Sequence, residues 1–273
     1  MCSDFPYEFI IQGAIMGKDF GYPVWSDDGE QVVTTYDGDY SNMMMDIRLF
    51  RMKAGSVKIL KKPEEETAVL LLQGNISLAW DGQVRQVSRK DVWTEGLWCL
   101  HVCKNVEITV TADSDDVEIL VQSTHNDRMF PAKLYGPEDA PWVERCHGKY
   151  GDTAKRKVST IFDYETAPYS NMVIGEIMND PGNWCGYLPH THPQPEVYYF
   201  KFERPEGFGA SFVGEDVYYI KDGSFSAIPG GKTHPQSAAP GYRMFIVWMI
   251  RHFDDNPWTV GTYDERFTWL DEV

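Results

Sequence analysis

Pro189-His190-Thr191-His192-Pro193-Gln194-Pro195-Glu196 runs straight into Val197-Tyr198-Tyr199-Phe200-Lys201-Phe202, and this stretch decides how the rest of the chain is read. Extended backbone sends alternate side chains to opposite faces, so His190 and His192 project to one side and can share an ion. Glu196, beyond a proline-bounded bend, can add a carboxylate oxygen. Further on, Gly223-x5-Pro229-x-Gly231-x2-His234 has glycines suited to turns at both ends of a short strand, so His234 can return toward the first pair. The resulting mixed nitrogen and oxygen donor set suits a divalent ion, Zn or Mn first, with Fe, Ni and Co compatible, and leaves positions open for substrate or water. Three unrelated surface histidines beside prolines would not account for the joint spacing of all four donors.

Outward from that stretch, the chain repeats itself. Tyr40-Ser41-Asn42-Met43 returns as Tyr169-Ser170-Asn171-Met172, and each copy opens a β-rich run. In the first half, Val69–Leu72, Ile76–Trp80, an Asp81-Gly82 turn and Gln83–Val87 read as strands joined by a hairpin. In the second, Val197–Phe202, Phe208–Val213, a Gly214-Glu215 turn and Val217–Ile220 read likewise, and one constant shift sets Val84 on Val217, Val87 on Ile220 and His101 on His234. Two similar β domains are predicted, residues 1–125 and 149–273. Between them, 126–148 carries Pro131, Gly136, Pro137, Pro141 and Gly148 and reads as a linker.

Composition bounds the partners. With 41 Asp+Glu against 25 Lys+Arg the formal charge is −16, and the basic groupings are as small as Lys61-Lys62 and Lys155-Arg156-Lys157, which excludes nucleic acid as a partner. Apolar runs such as Met244–Ile250 fall far short of the ~18 residues that cross a bilayer, so no membrane span is expected. Met1-Cys2-Ser3-Asp4-Phe5 has an acid where a signal peptide carries Lys or Arg. Cys2, Cys99, Cys103, Cys146 and Cys185 form no framework, so a reducing cytoplasm is expected, with Cys99-x3-Cys103 read as buried thiols.

The two spaced motifs resemble those of the cupin superfamily: His190-x-His192-x3-Glu196 the first, Gly223-x5-Pro229-x-Gly231-x2-His234 the second. The resemblance implies an all-β bicupin, two β-barrel or jelly-roll domains, with the metal held by His190, His192, Glu196 and His234. Trp184, Gly207 and Ala238 depart from the pattern, and none is a ligand. The first half keeps His101, yet Leu60-Lys61-Lys62-Pro63-Glu64-Glu65-Glu66 offers no histidine pair, so His101 reads as a packed or hydrogen-bonded remnant in a domain without a metal site. A closer likeness joins Glu196–Phe202, Pro205-Glu206-Gly207-Phe208-Gly209, His234-Pro235, Ala238–Tyr242 and Arg156-Lys157-Val158. Together these are similar to the 5-deoxy-glucuronate isomerases of inositol catabolism. After Tyr242 that family continues toward an Asn and small residues, whereas Phe245–His252 is bulkier here, so Trp248 or Arg251 is expected to reshape the pocket.

The resemblance implies isomerisation of an aldose to a ketose on a uronate-type sugar, in which a divalent ion at O1 and O2 lowers the cost of the enediolate charge. Strand parity puts Tyr198 on the face of Glu196 as the catalytic phenol, and Gln236 on the face of His234 as a ligand for a sugar hydroxyl. Arg156 and Arg243 are the candidates for the carboxylate, with Lys201 and Lys232 behind them, and Glu176 is the weakest candidate for a base. The competing readings are a metal-dependent cupin dioxygenase and a non-catalytic sugar-binding bicupin; abundant aromatics suggest a homo-oligomer.

Overall fold

The computed structural model describes residues 19–272; the amino-terminal reading over Met1–Phe5, and Cys2 with it, lies outside them. Every named strand pair is antiparallel. A seven-stranded sheet runs in the order Phe20–Gly21, Phe225–Ile228, Glu196–Phe202, Met244–Arg251, Met172–Asn179, Arg156–Phe162, Val143–Arg145. Facing it in the second half of the chain is a four-stranded sheet of Trp184–Cys185, Gln236–Ala238, Phe208–Val213 and Asp216–Lys221. The first half forms a nine-stranded sheet around the 16-residue strand Glu65–Trp80. That strand bends at Gly74, where φ is +99° and a Cβ would come within 2.8 Å of the Val117 backbone, so a side chain there is excluded twice over.

Alternation explains why the central strands read as unbroken apolar runs. On Glu196–Phe202, Tyr198, Phe200 and Phe202 enter a core internal to the second half, while Val197 and Tyr199 enter a core shared with the first half. On Met244–Arg251, Ile246, Trp248 and Ile250 take the internal side and Phe245, Val247 and Met249 the shared one. Val69 and Leu71 against Leu70 and Leu72 do the same in the first half. Strands covered on both faces have no solvent side to mark with polar residues. Each large side chain so buried contributes ~1.5–3 kcal/mol, and the shared layer is what holds the halves together.

The repeated tetrapeptide belongs to that junction. Tyr40 stacks edge-on against Phe225 at 4.8 Å, and Tyr169 packs on Phe130 at 4.6 Å, so each copy reaches into the other half. The predicted linker is less irregular than its prolines suggest: Lys133–Tyr135 pairs with Cys99–His101, and Val143–Arg145 with Arg156–Val158. Three-residue strands that borrow a partner from a finished sheet leave no periodic trace. Among the described residues no helix is long and apolar enough to cross a membrane.

Candidate metal centre

His192, Glu196 and His234 converge, all three buried, with one donor atom from each within 4.8 Å of the others. Glu196 opens its strand, and His234 returns on the loop after Phe225–Ile228, the strand paired to it. A single carboxylate oxygen, Glu196 Oε2, lies 3.0 Å from His192 Nε2 and 3.1 Å from His234 Nε2. His190 stands beside the group with its ring 4.7 Å from that of His234 and 6.3 Å from that of His192.

All three imidazoles are oriented alike: Nδ1 of His190, His192 and His234 lies 2.9 Å from the carbonyl of Leu188, Gln194 and Lys232 respectively. A carbonyl only accepts, so each Nδ1 carries a proton, and in the neutral form that binds a cation each ring turns an Nε2 lone pair inward. Lone pairs facing a carboxylate repel unless a proton or a cation stands between them. His234 Nε2 is buried and, although 3.1 Å from Glu196 Oε2, makes no well-aligned hydrogen bond among the described residues. Burial works to raise the Glu196 carboxyl, but the two histidines outweigh it and hold it below the ordinary carboxylate range. Burial pulls His234 down and Glu196 more than restores it, whereas His190 is pushed down to about 4, by burial first and by His234 next. This donor set fits a divalent ion: backbone-fixed nitrogen lone pairs, one anionic oxygen, and an orphaned donor atom.

Tyr198 is buried on the face of Glu196, its ring 6.0 Å from His234. Burial, then the neighbouring Glu196 charge, push its phenol well above the ordinary value, so it stays protonated and can donate a hydrogen bond at neutral pH. Arg156 is half-buried, its guanidinium donating to the carbonyls of Ala154 and Tyr187 at 2.9 and 3.2 Å, and its charge is felt at Tyr198 and Cys185.

Other candidates are engaged elsewhere. Gln236 is fully buried, its amide donating to the His234 carbonyl and accepting from the Cys185 thiol at 3.2 Å, so it braces the His234 segment and has no free end for a sugar hydroxyl. Arg243 grips Glu203 at 2.9 and 2.6 Å, one residue past the far end of the strand that Glu196 begins. At ~3.3 Å per residue that is roughly 20 Å from the donors, a correction to its expected role, because the choice rests on guanidinium chemistry, which does not place a residue along a strand. Glu176 is clasped by Arg89 and fully buried, Lys201 donates to Glu118, and Lys232 to Asp19. His101 is the packed remnant expected, 2.8 Å from Glu66 and stacked on Phe162.

Sequence reasoning missed the cover over the donors. Thr262–Tyr263 pairs with His190–Thr191, Gly261 lies so close that a Cβ would meet the His190 ring at 2.5 Å, and Gln194 donates to the Asn256 carbonyl at 2.6 Å. Trp258 stands edge-on to His192 at 6.2 Å and to Trp248 at 5.7 Å. Both indole N–H groups are buried without a hydrogen-bond partner among the described residues. No local pattern announces that this segment folds back over the donors.

Antiparallel sheets enclosing histidine and glutamate donors in this arrangement define a cupin. The chain belongs to the KduI/IolB family, whose model matches residues 23–270. It is 27% identical over 224 residues to a 5-deoxy-glucuronate isomerase of Geobacillus kaustophilus (strain HTA426), which covers 72% of this chain and 79% of the relative. Its fold is similar to that of an IolB-like protein from Salmonella typhimurium LT2, at a TM-score of 0.82 and 18% identity over 93% of this chain and 99% of the other. An oxalate decarboxylase of Lactobacillus farciminis shares the fold at a TM-score of 0.64 and 12% identity, covering 100% and 91%.

Proposed function

We propose that this protein is a metal-dependent aldose–ketose isomerase acting on a uronate-type sugar, 5-deoxy-glucuronate first, and that its halves are two cupin units of which the second carries the chemistry. The convergence of His192, Glu196 and His234, with Nε2 of both histidines turned toward the carboxylate, is the observation that supports this reading. The reaction conserves composition: one proton leaves C2, one arrives at C1, and a proton passes from O2 to O1. His192, Glu196 and His234, joined by His190, would hold a divalent ion, Zn or Mn first. Such an ion, when bound, polarises carbonyl and hydroxyl oxygens and offsets negative charge developing on them.

The remaining work falls to the protein. Tyr198 holds a phenolic proton beside the carboxylate and can deliver it to a developing oxyanion. Arg156 supplies the cation for the sugar carboxylate, and in a chain of net charge −16 that local positive charge is required to admit an anion. Trp248 and Trp258 offer indole donors for sugar hydroxyls, and the carboxyl-terminal cover excludes water. A cytoplasmic homo-oligomer is the setting this reading expects.

Metal analysis coupled to turnover of 5-deoxy-glucuronate without oxygen tests the proposal. Stoichiometric metal, anaerobic turnover abolished by chelation, and loss of both in a folded His192→Ala protein are expected. Oxygen consumption during turnover would instead favour a dioxygenase, and full activity in His192→Ala would remove the site from the reaction.

A further inference from the structure

A polar cavity of about 480 Å³ opens where the halves meet, lined by Glu64, His125, Asn126, Asp127 and Arg128 on one side and by Asn171, Arg251 and Asp254 on the other. Arg251 sits on the face of its strand opposite Ile250, which pairs with Glu196, and its backbone N–H donates to the Pro195 carbonyl at 3.2 Å. The cavity is thus separated from the donor set by the thickness of the sheet.

Arg251 is the anomaly. The residue is 6% exposed, its Nη1 is buried with no hydrogen-bond partner among the described residues, and its one ion pair is a 3.7 Å approach to the exposed Asp254. A guanidinium brings five donors, and leaving a buried one unmatched forfeits its hydration with nothing in return, the more so where it carries charge. Beside it Arg128 is held in place, donating to the Pro168 carbonyl at 2.8 Å and to Asn171 Oδ1 at 3.2 Å. Asn171 is fixed in turn by its own bond to the His125 carbonyl at 2.9 Å. The acids of the rim are exposed, and Asp127 is already offset by Lys104 at 3.0 Å. Two arginines at the base of a cavity with carboxylate acceptors at its rim match one chemistry: an oxyanion that also carries hydroxyl groups.

We propose that this cavity is a binding site, separate from the metal centre, for a small hydroxylated oxyanion, with Arg251 and Arg128 on the anionic group and Asp254, Asp127 and Glu64 accepting from its hydroxyls. Sugar carboxylates and sugar phosphates share that chemistry, and the planar fork of guanidinium serves either.

Titration calorimetry of the full chain with D-glucuronate, glucose 6-phosphate and, as the uncharged control, glucose tests this, in the wild type and in His192→Ala to remove the metal centre. Saturable binding of an acidic probe, retained in His192→Ala and weakened roughly 10–100-fold in Arg251→Met, is expected, the stronger acidic probe identifying the oxyanion. Arg128→Met is the second variant, at an exposed position, and the same direction of loss is expected there should Arg251→Met not fold. Absence of saturable binding by either acid, equal binding by glucose, unchanged affinity in both arginine variants, or loss of all binding in His192→Ala would each overturn the proposal.

Discussion

Arg89 and Glu176 form a buried clasp between the halves, with neither side chain exposed, and removing one partner should do far more harm than removing both. Arg89 Nη1 and Nη2 donate to Glu176 Oε1 and Oε2 at 2.6 and 2.9 Å, and to the carbonyls of Leu71 and Glu95 at 3.0 and 3.2 Å. Glu176→Leu strands a guanidinium in a dry core, and Arg89→Met strands a carboxylate; breaking a buried pair in this way costs about 3–5 kcal/mol. That is a large part of the ~5–15 kcal/mol that holds a typical native protein together. At ~2–4 °C per kcal/mol for a large domain, each single variant should melt roughly 6–20 °C lower. The double variant Arg89→Met/Glu176→Leu removes both charges and leaves two orphaned carbonyls, about 1–3 kcal/mol each, against a gain in apolar packing of similar size. It should therefore lie closer to the wild type than either single variant. Urea unfolding followed by fluorescence and circular dichroism measures all four proteins. Single variants within about 1 kcal/mol of wild type, or a double variant whose loss equals the sum of the two, would refute the reasoning.

His252 supplies a pH dependence. Burial, then the neighbouring Arg251, push its imidazole down to about 4 from the ordinary 6.5, and its Nδ1 accepts the Trp258 backbone N–H at 2.9 Å. Between those values the unfolded chain binds the extra proton, so the stabilisation is complete above 6.5 and lost as pH falls toward 4. His252→Gln should flatten that part of the stability profile relative to wild type; parallel profiles from pH 7.5 to 4 would count against it. Gly175→Ala tests the wall behind the donors, since a Cβ there would lie 2.4 Å from Trp248 Nε1 and 2.5 Å from the Ser159 carbonyl oxygen. One contact is backbone, so overpacking of about 1–3 kcal/mol and an altered near-ultraviolet tryptophan spectrum are expected; an unchanged melt and spectrum would mean the indole is not packed there.

What could be read in advance follows from which interactions are local. His192 and Glu196 share a face because they flank one strand entry, and the second glycine-bounded motif brings His234 to them; both facts are contained in spacing. Parity likewise put Tyr198 beside Glu196 and sent Lys201 to the opposite face, where it meets Glu118. Arg243 is a candidate for its guanidinium alone, and parity is silent about distance along a strand. It is silent as well about elements that complete a sheet from far away in sequence. Phe20–Gly21 pairs with Phe225–Ser226, and Thr262–Tyr263 with His190–Thr191, through two-residue ladders whose hydrogen bonds depend on the finished sheet edge. Arg251 shows the same limit from the other side. Its strand reads as an apolar run ending in a charge, the ordinary signature of a strand reaching solvent, yet the first half of the chain closes over that end and buries the guanidinium. Sequence likeness singles out Trp248 and Arg251 together as pocket-shaping, but only the finished enclosure separates them: Trp248 lies in the core internal to the second half with Trp258 beside it, and Arg251 lines the cavity where the halves meet.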